Sequence, residues 1–121
     1  MVHAAGDAVL QEVSNRIKDN LRGVDMVARI GGEEFLVAMP DTQLNDARIA
    51  AERLCQVIDD HPVVLPYGKG SVSVSLSIGV AMGGLQNGVR GFEAVIEDAD
   101  QALFRAKSDG RNQVTFCRSA A

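Results

Sequence analysis

The chain has 121 residues, 46% of them hydrophobic, which fits one globular domain with a single core and leaves no room for a second. The 16 acidic residues outnumber the 12 basic ones for a net charge of −4, which argues against a general nucleic-acid or anionic-membrane surface, so any phosphate ligand must be held by a few placed cations. Cys55 and Cys117 show no metal-type spacing and read as reduced packing residues; no apolar segment is long enough for a signal peptide or a membrane span, and the expected compartment is the cytoplasm.

His3 to Gly6 is short and polar, and Asp7 then stands as an N-cap before a helical stripe of Leu10, Val13, Ile17 and Leu21, closed by Arg22 and Gly23. Asp25 to Ile30 and Phe35 to Met39 are apolar, strand-like runs that meet across Gly31-Gly32, a pair able to take positive φ in a tight turn. Pro40-Asp41-Thr42 ends the hairpin. A second helix is predicted from about Asn45 to Asp60, with Ala47, Ala50, Ala51, Leu54 and Ile58 inward, and His61-Pro62 stops it. Val63 to Leu65 is a short strand and Tyr67 to Gly70 a turn. From Val72 to Val80 apolar residues alternate with Ser73, Ser75, Ser77 and Gly79, the cleanest period-two signal in the chain, and the small residues leave one face low enough for a helix or ligand to approach. Gly83 to Gly91 reads as a flexible loop, Phe92 to Ser108 as a helix ended by Gly110, and Val114 and Phe116 as a last strand. The order predicts an α+β domain, a mostly antiparallel sheet with helices on one or both faces. A domain of this kind normally opens on a strand that pairs inside the sheet, whereas this chain opens on a loop into a helix.

Taken alone, Gly31-Gly32-Glu33-Glu34 reads as a turn with solubilising charge. Successive strand side chains point to opposite faces, so Glu33 and Glu34 converge on one spot only if the turn twists them. The neighbouring segments add to this. His3, Gly6-Asp7 and Leu10; Arg22-Gly23-Val24-Asp25 with Arg29; Ala47 and Ala51-Glu52-Arg53-Leu54; Ser77-Ile78-Gly79-Val80-Ala81; and Ala99 to Lys107 with Gly110-Arg111-Asn112 occur in the order of the GGDEF domain of diguanylate cyclases. The chain closely resembles that family in its Gly-Gly-Glu-Glu-Phe variant, and within it the PleD type, in which receiver domains precede the cyclase. Phe104 stands where the family more often has Tyr.

The resemblance implies a nucleotidyl-cyclase, ferredoxin-like palm and a reaction in which two GTP molecules on two facing domains become cyclic di-GMP and pyrophosphate. Such phosphoryl transfer needs charge neutralisation and in-line placement more than a covalent nucleophile. By the same resemblance Glu33 is a metal ligand and candidate base, Glu34 supports the metal site, two Mg²⁺ ions clamp the phosphates, and Gly31 and Gly32 let the triphosphate lie against the backbone. Asp7 matches the residue that accepts hydrogen bonds from guanine, a role compatible with an N-cap. Lys107 and Arg111 match cations on the terminal phosphates; in isolation they would only complement a helix dipole. Arg22 and Asp25, with Arg53, match the family's inhibitory product site, where arginine forks suit phosphate and guanine edges. Alone, they would be a surface ion pair of little worth. Asp100 is expected to make a structural hydrogen bond, and His3 and His61 to be structural or exposed.

The family pattern also has an earlier strand with a first metal-binding Asp, a Phe-Lys pair and an Asn-Asp that reads guanine. Residues 1–121 are therefore expected to be a partial GGDEF domain, its C-terminal two-thirds, lacking the first strand and helix. Three expectations follow: the chain alone makes no cyclic di-GMP, uncovered strand edges favour a homodimer or swapped oligomer, and the Arg22 site survives as a cyclic di-GMP-binding module. Use as a dimerisation scaffold alone ranks last, because Glu33 and Glu34 are both retained.

Overall fold

Helix α1 spans Ala4–Asp19 in the computed structural model, which describes residues 4–31, 33–83 and 91–117. His3, Gly32 and residues 84–90 of the expected loop lie outside the described residues. Asp7 is not an N-cap: the helix begins at Ala4, in a segment rich in the strongest helix former, which puts Asp7 inside the first turn, where its charge still complements the dipole. The helix also stops at Asp19 instead of running to Arg22. Asn20 N and Leu21 N donate to the carbonyls of Ile17 and Lys18, an i to i−3 tightening typical of a helix end, and Asn20 Nδ2 donates to Arg16 O.

Strands β1 (Met26–Gly31) and β2 (Glu34–Ala38) form the expected antiparallel hairpin, paired from Met26 with Ala38 to Arg29 with Phe35. The register then slips so that Gly31 faces Glu34, leaving Ile30 as an extra residue in β1. The connection is residues 32–33, not Gly31-Gly32; Gly31 belongs to the strand and has no positive φ, because the extra residue moves the reversal one place along.

Helix α2 (Leu44–Asp60) buries Ala47, Ala50, Ala51, Leu54, Cys55 and Ile58, the predicted stripe plus one thiol. Val13 and Ile17 of α1 join Leu54 and Ile58 in the central cluster, over which lie Val27, Phe35 and Val37 of the hairpin and Val74, Leu76 and Ile78. Burying a side chain such as Ile58, only 1% exposed, contributes roughly 1.5–3 kcal/mol.

β3 (Val63–Val64) and β4 (Ser71–Val72) make a two-residue antiparallel ladder around a 3₁₀ turn at Pro66–Gly68, with Tyr67 at φ 59°. The single strand expected from Val72 to Val80 is not formed. β5 covers only Ile78–Val80, and residues 73–77 run outside any ladder. Val74 and Leu76 still reach the core, so the alternation was real; it reports which face is buried, not whether a hydrogen-bonding neighbour exists.

α3 (Phe92–Ser108) matches its predicted limits, and β6 (Val114–Phe116) pairs parallel to β5. Gly79 explains the low face: a Cβ there would collide with the backbone of Ala99 and Leu103, so β5 lies directly on α3. Ala102 and Ala106 are fully buried. Among the described residues the strands form three two-stranded ladders, two antiparallel and one parallel. The class is α+β.

Candidate functional site

Candidate site residues stand at both ends of the hairpin. At its tip Glu33 and Glu34 occupy adjacent positions and are exposed, and the extra residue opposite them raises the local twist, the condition under which neighbouring side chains can be aimed together. A Cβ on Gly31 would meet nothing within 4 Å, so the backbone there is open to a ligand. Gly32 lies outside the described residues.

Asp7 lines a cavity of about 520 Å³ between α1 and the hairpin, together with Leu10, Gln11, Ser14, Lys18, Val27, Arg29 and Phe35. The helical wall is a single stripe, since residues three, four, seven and eleven apart share one side of a helix. Val27 and Arg29 share a strand face, and Phe35 is paired with Arg29. Leu10 and Phe35 offer apolar surface and Asp7 an acceptor, a combination suited to a flat, hydrogen-bonding base. Arg29, Gln11, Ser14 and Lys18 were missing from the sequence-derived site; the helical stripe through Asp7 was the signal that could have found Gln11, Ser14 and Lys18, and the alternation with Val27 along β1 the signal for Arg29.

At the base of the hairpin Arg22 and Asp25 form a two-point ion pair. Arg22 Nη2 donates to Asp25 Oδ1 at 2.8 Å and Nε to both carboxylate oxygens at 3.3 Å, while Arg22 N donates to Asp25 Oδ2 at 2.9 Å. The Asp25 side chain is 1% exposed and that of Arg22 50%, so the counter-ion sits behind the cation. The Arg22 side-chain hydrogen bond holds the Asp25 carboxyl below the usual range, against the opposing effect of burial, and Asp25 in turn raises the Arg22 guanidinium. Arg22 Nη2 also reaches Thr42 Oγ1 at 2.6 Å and Pro40 O at 2.9 Å. Arg53 on α2 donates from Nη2 to Asn20 O at 2.9 Å, which anchors it two residues from Arg22. The structure thus assembles Arg22 and Asp25 directly and holds Arg53 beside the same chain segment.

Lys107, half-buried in the last turn of α3, and exposed Arg111 belong to the β5–α3–β6 unit. Arg111 is the second of three consecutive left-handed residues, with φ of 120° at Gly110, 63° at Arg111 and 49° at Asn112; its N–H caps Ala106 O at 2.9 Å, and Asn112 N donates to Ser77 Oγ at 3.3 Å. Among the described residues no hydrogen bond joins Lys107 or Arg111 to the hairpin tip. Asp100 is exposed and its side chain makes no hydrogen bond among the described residues, contrary to expectation: at an exposed helical position it is left to solvent. His61 is exposed, with Nδ1 3.1 Å from Val57 O.

Hydrated Mg²⁺ favours oxygen ligands and is commonly held by one or two carboxylates plus substrate phosphates. Glu33 and Glu34 fit that donor set. Among the described residues no group of three or more His, Cys, Asp or Glu gathers as a metal site, and no helix is long and apolar enough to cross a membrane.

Residues 3–113 match the family model described as diguanylate cyclase, GGDEF domain. The chain belongs to the GGDEF family. It is 39% identical over 112 residues to the response regulator PleD of Caulobacter vibrioides, covering 93% of this chain and 24% of PleD, and 37% identical over 117 residues to diguanylate cyclase A of Treponema denticola, covering 97% and 30%. The chain therefore spans under a third of the length of these curated relatives. The crystal structure of the GGDEF domain of YfiN (TpbB) from Pseudomonas aeruginosa superposes with a TM-score of 0.86 at 35% identity, over 97% of this chain and 71% of that one. The GGDEF domain of DgcB from Caulobacter crescentus, solved in complex with c-di-GMP, gives 0.87 at 26% identity, over 97% and 65%.

Proposed function

We propose that this GGDEF segment is the catalytic part of a diguanylate cyclase that condenses two GTP into cyclic di-GMP and two pyrophosphates, with product inhibition at Arg22, Asp25 and Arg53. The observation that carries the reading is the hairpin with Glu33 and Glu34 at its open tip beside the Asp7 cavity. Guanine lies against Leu10 and Phe35, with Asp7 accepting from its N–H edge. The triphosphate runs over Gly31 and Gly32, and Lys107 and Arg111 take its terminal phosphates. Glu33 and Glu34 would hold Mg²⁺, which would supply neutralisation of phosphate charge. Glu33 accepts the proton of the attacking 3′-hydroxyl as the two nucleotides, one on each facing domain, are joined in line at the α-phosphates.

Two adjacent carboxylates supply ligands for one hydrated ion, so the 121-residue chain alone is expected to make no cyclic di-GMP. In a cyclase-competent protein carrying this segment, Glu33→Gln lowers GTP turnover by about two orders of magnitude or more, since it removes a ligand and a base together. Turnover is followed as pyrophosphate release. Retained turnover in the variant removes Glu33 from the mechanism, and product formed by the 121-residue chain overturns its assignment as inactive.

A second reading, a cyclic di-GMP-binding module without catalysis, is favoured by one observation: Arg22 and Asp25 are paired at the hairpin base, and Arg53 is hydrogen-bonded to Asn20 O, two residues before Arg22. The same chemistry serves as the brake in the first reading. GTP, cyclic di-GMP, a second copy of the domain and upstream receiver domains are the partners proposed.

A further inference from the structure

We propose that Thr42 is a positioning residue for the product site, its hydroxyl fixing the Arg22 guanidinium so that the free edge of the fork is presented to a guanine or phosphate of a cyclic dinucleotide. This rests on the reading of Arg22, Asp25 and Arg53 as that site.

Arg22 Nη2 carries two hydrogens and has three acceptors within reach: Asp25 Oδ1 at 2.8 Å, Thr42 Oγ1 at 2.6 Å and Pro40 O at 2.9 Å. One hydrogen goes to the carboxylate. The other meets Thr42 Oγ1, whose own proton goes to Pro40 O at 3.0 Å. A hydroxyl accepts from a cation and donates to a carbonyl at the same time, so Thr42 takes the Nη2 hydrogen while satisfying Pro40 O; a hydrocarbon side chain would leave that hydrogen to Pro40 O and shift the guanidinium toward it. The turn that presents it is conformationally specific: Pro40 has its φ set by its ring, and Asp41 is left-handed at φ 51°. With Nε on Asp25, only Nη1 of the fork lacks a partner among the described residues. Arg22 is half exposed with its counter-ion enclosed, so the guanidinium keeps a face open to a ligand. Arg53, tethered through Asn20 O, brings a second guanidinium to the same segment. Two chain segments, 22–25 and 40–42, converge on one pre-organised guanidinium, with Arg53 tied to the backbone two residues before it. Pre-organisation lowers the side-chain entropy lost on binding, so losing the Thr42 contact should appear as weaker affinity.

The test is calorimetric titration of cyclic di-GMP into the 121-residue chain, with Arg22→Ala, Thr42→Val and Thr42→Ser compared. Thr42→Val keeps the shape and deletes the hydroxyl; its Kd is expected to rise about tenfold, the scale of one hydrogen bond to a charged group. Thr42→Ser restores the Kd to within about twofold, because the hydroxyl is all that is required. The Arg22 Nη2 hydrogens report the contact directly: they exchange slowly with water in the unsubstituted chain and in Thr42→Ser, and faster in Thr42→Val. If Arg22→Ala abolishes binding while Thr42→Val binds unchanged, the positioning role is overturned and the product site stands. If Thr42→Ser is as weak as Thr42→Val, the effect belongs to the turn and the role is likewise overturned. No binding by the unsubstituted chain, or unchanged binding by Arg22→Ala, overturns the product site and the Thr42 role together.

Discussion

At Gly79 a Cβ would fall inside contact distance of the Ala99 carbonyl oxygen and the Leu103 amide nitrogen, backbone atoms of a helix that cannot turn aside as a side chain can. Gly79→Ala is therefore expected to lower stability by about 1–3 kcal/mol or more, the usual scale of overpacking, read from the urea unfolding midpoint. An unchanged midpoint would mean that β5 is not seated on α3. Cys55 is a packing residue with an inert thiol. Burial pushes its thiol up to about 11, with Asp59 and Glu52 adding to the effect, and Sγ lies 3.5 Å from Leu76 O. The reactive thiolate is scarce at neutral pH, in keeping with a packing role. Arg111 combines a candidate phosphate contact with a left-handed backbone that costs a non-glycine residue on the order of 1 kcal/mol. Arg111→Gly would thus mix relief of strain with loss of the cation.

The hairpin and its clasp set the behaviour of their element with pH. Asp25 is held below the ordinary carboxylate range by Arg22, so the folded state favours its charged form. Its contribution is complete above the unfolded carboxylate value, near 4, and is lost as pH falls through the depressed folded value. Asp25→Asn is expected to flatten the acid side of the stability profile measured between about pH 2 and pH 6, and to lower stability most at the upper end. An acid limb that remains as steep would assign acid sensitivity to other carboxylates. Much at this scale was legible in the sequence. Both amphipathic helices α2 and α3 keep a period long enough to fix their limits nearly to the residue, and β1 and β2 are strongly apolar. The turn, however, moved by one residue because a bulge at Ile30 leaves no compositional trace. Residues 73–77 failed as strand because pairing depends on a neighbour that alternation does not encode. Thr42 was legible only as part of the stop that ends the hairpin; its contact with Arg22, 20 positions away, has no motif to announce it.

Over the whole molecule, the hairpin and the β5–α3–β6 unit rest on one helical cluster without sharing a ladder among the described residues. Among the described residues β2 pairs only with β1, and β5 only with β6, so each presents a second edge of backbone donors and acceptors without a ladder partner among them. Such edges recruit strands from other molecules. The 121-residue chain is expected to self-associate, its weight-average mass in sedimentation rising with concentration; a non-associating monomer with a cooperative melt would refute this. The clasp at Arg22 has a mechanical consequence for the assembled protein. β2 extends five residues from the pinned end toward Glu34, a lever arm of about 17 Å at about 3.4 Å per residue. Tilting such an arm by about 5° at its fulcrum carries the far carboxylates by about 1.5 Å, well beyond the roughly 0.5 Å tolerance of positioned catalytic groups. The stiffness of one arginine's seat at the fulcrum thereby limits how accurately the opposite end can be aimed.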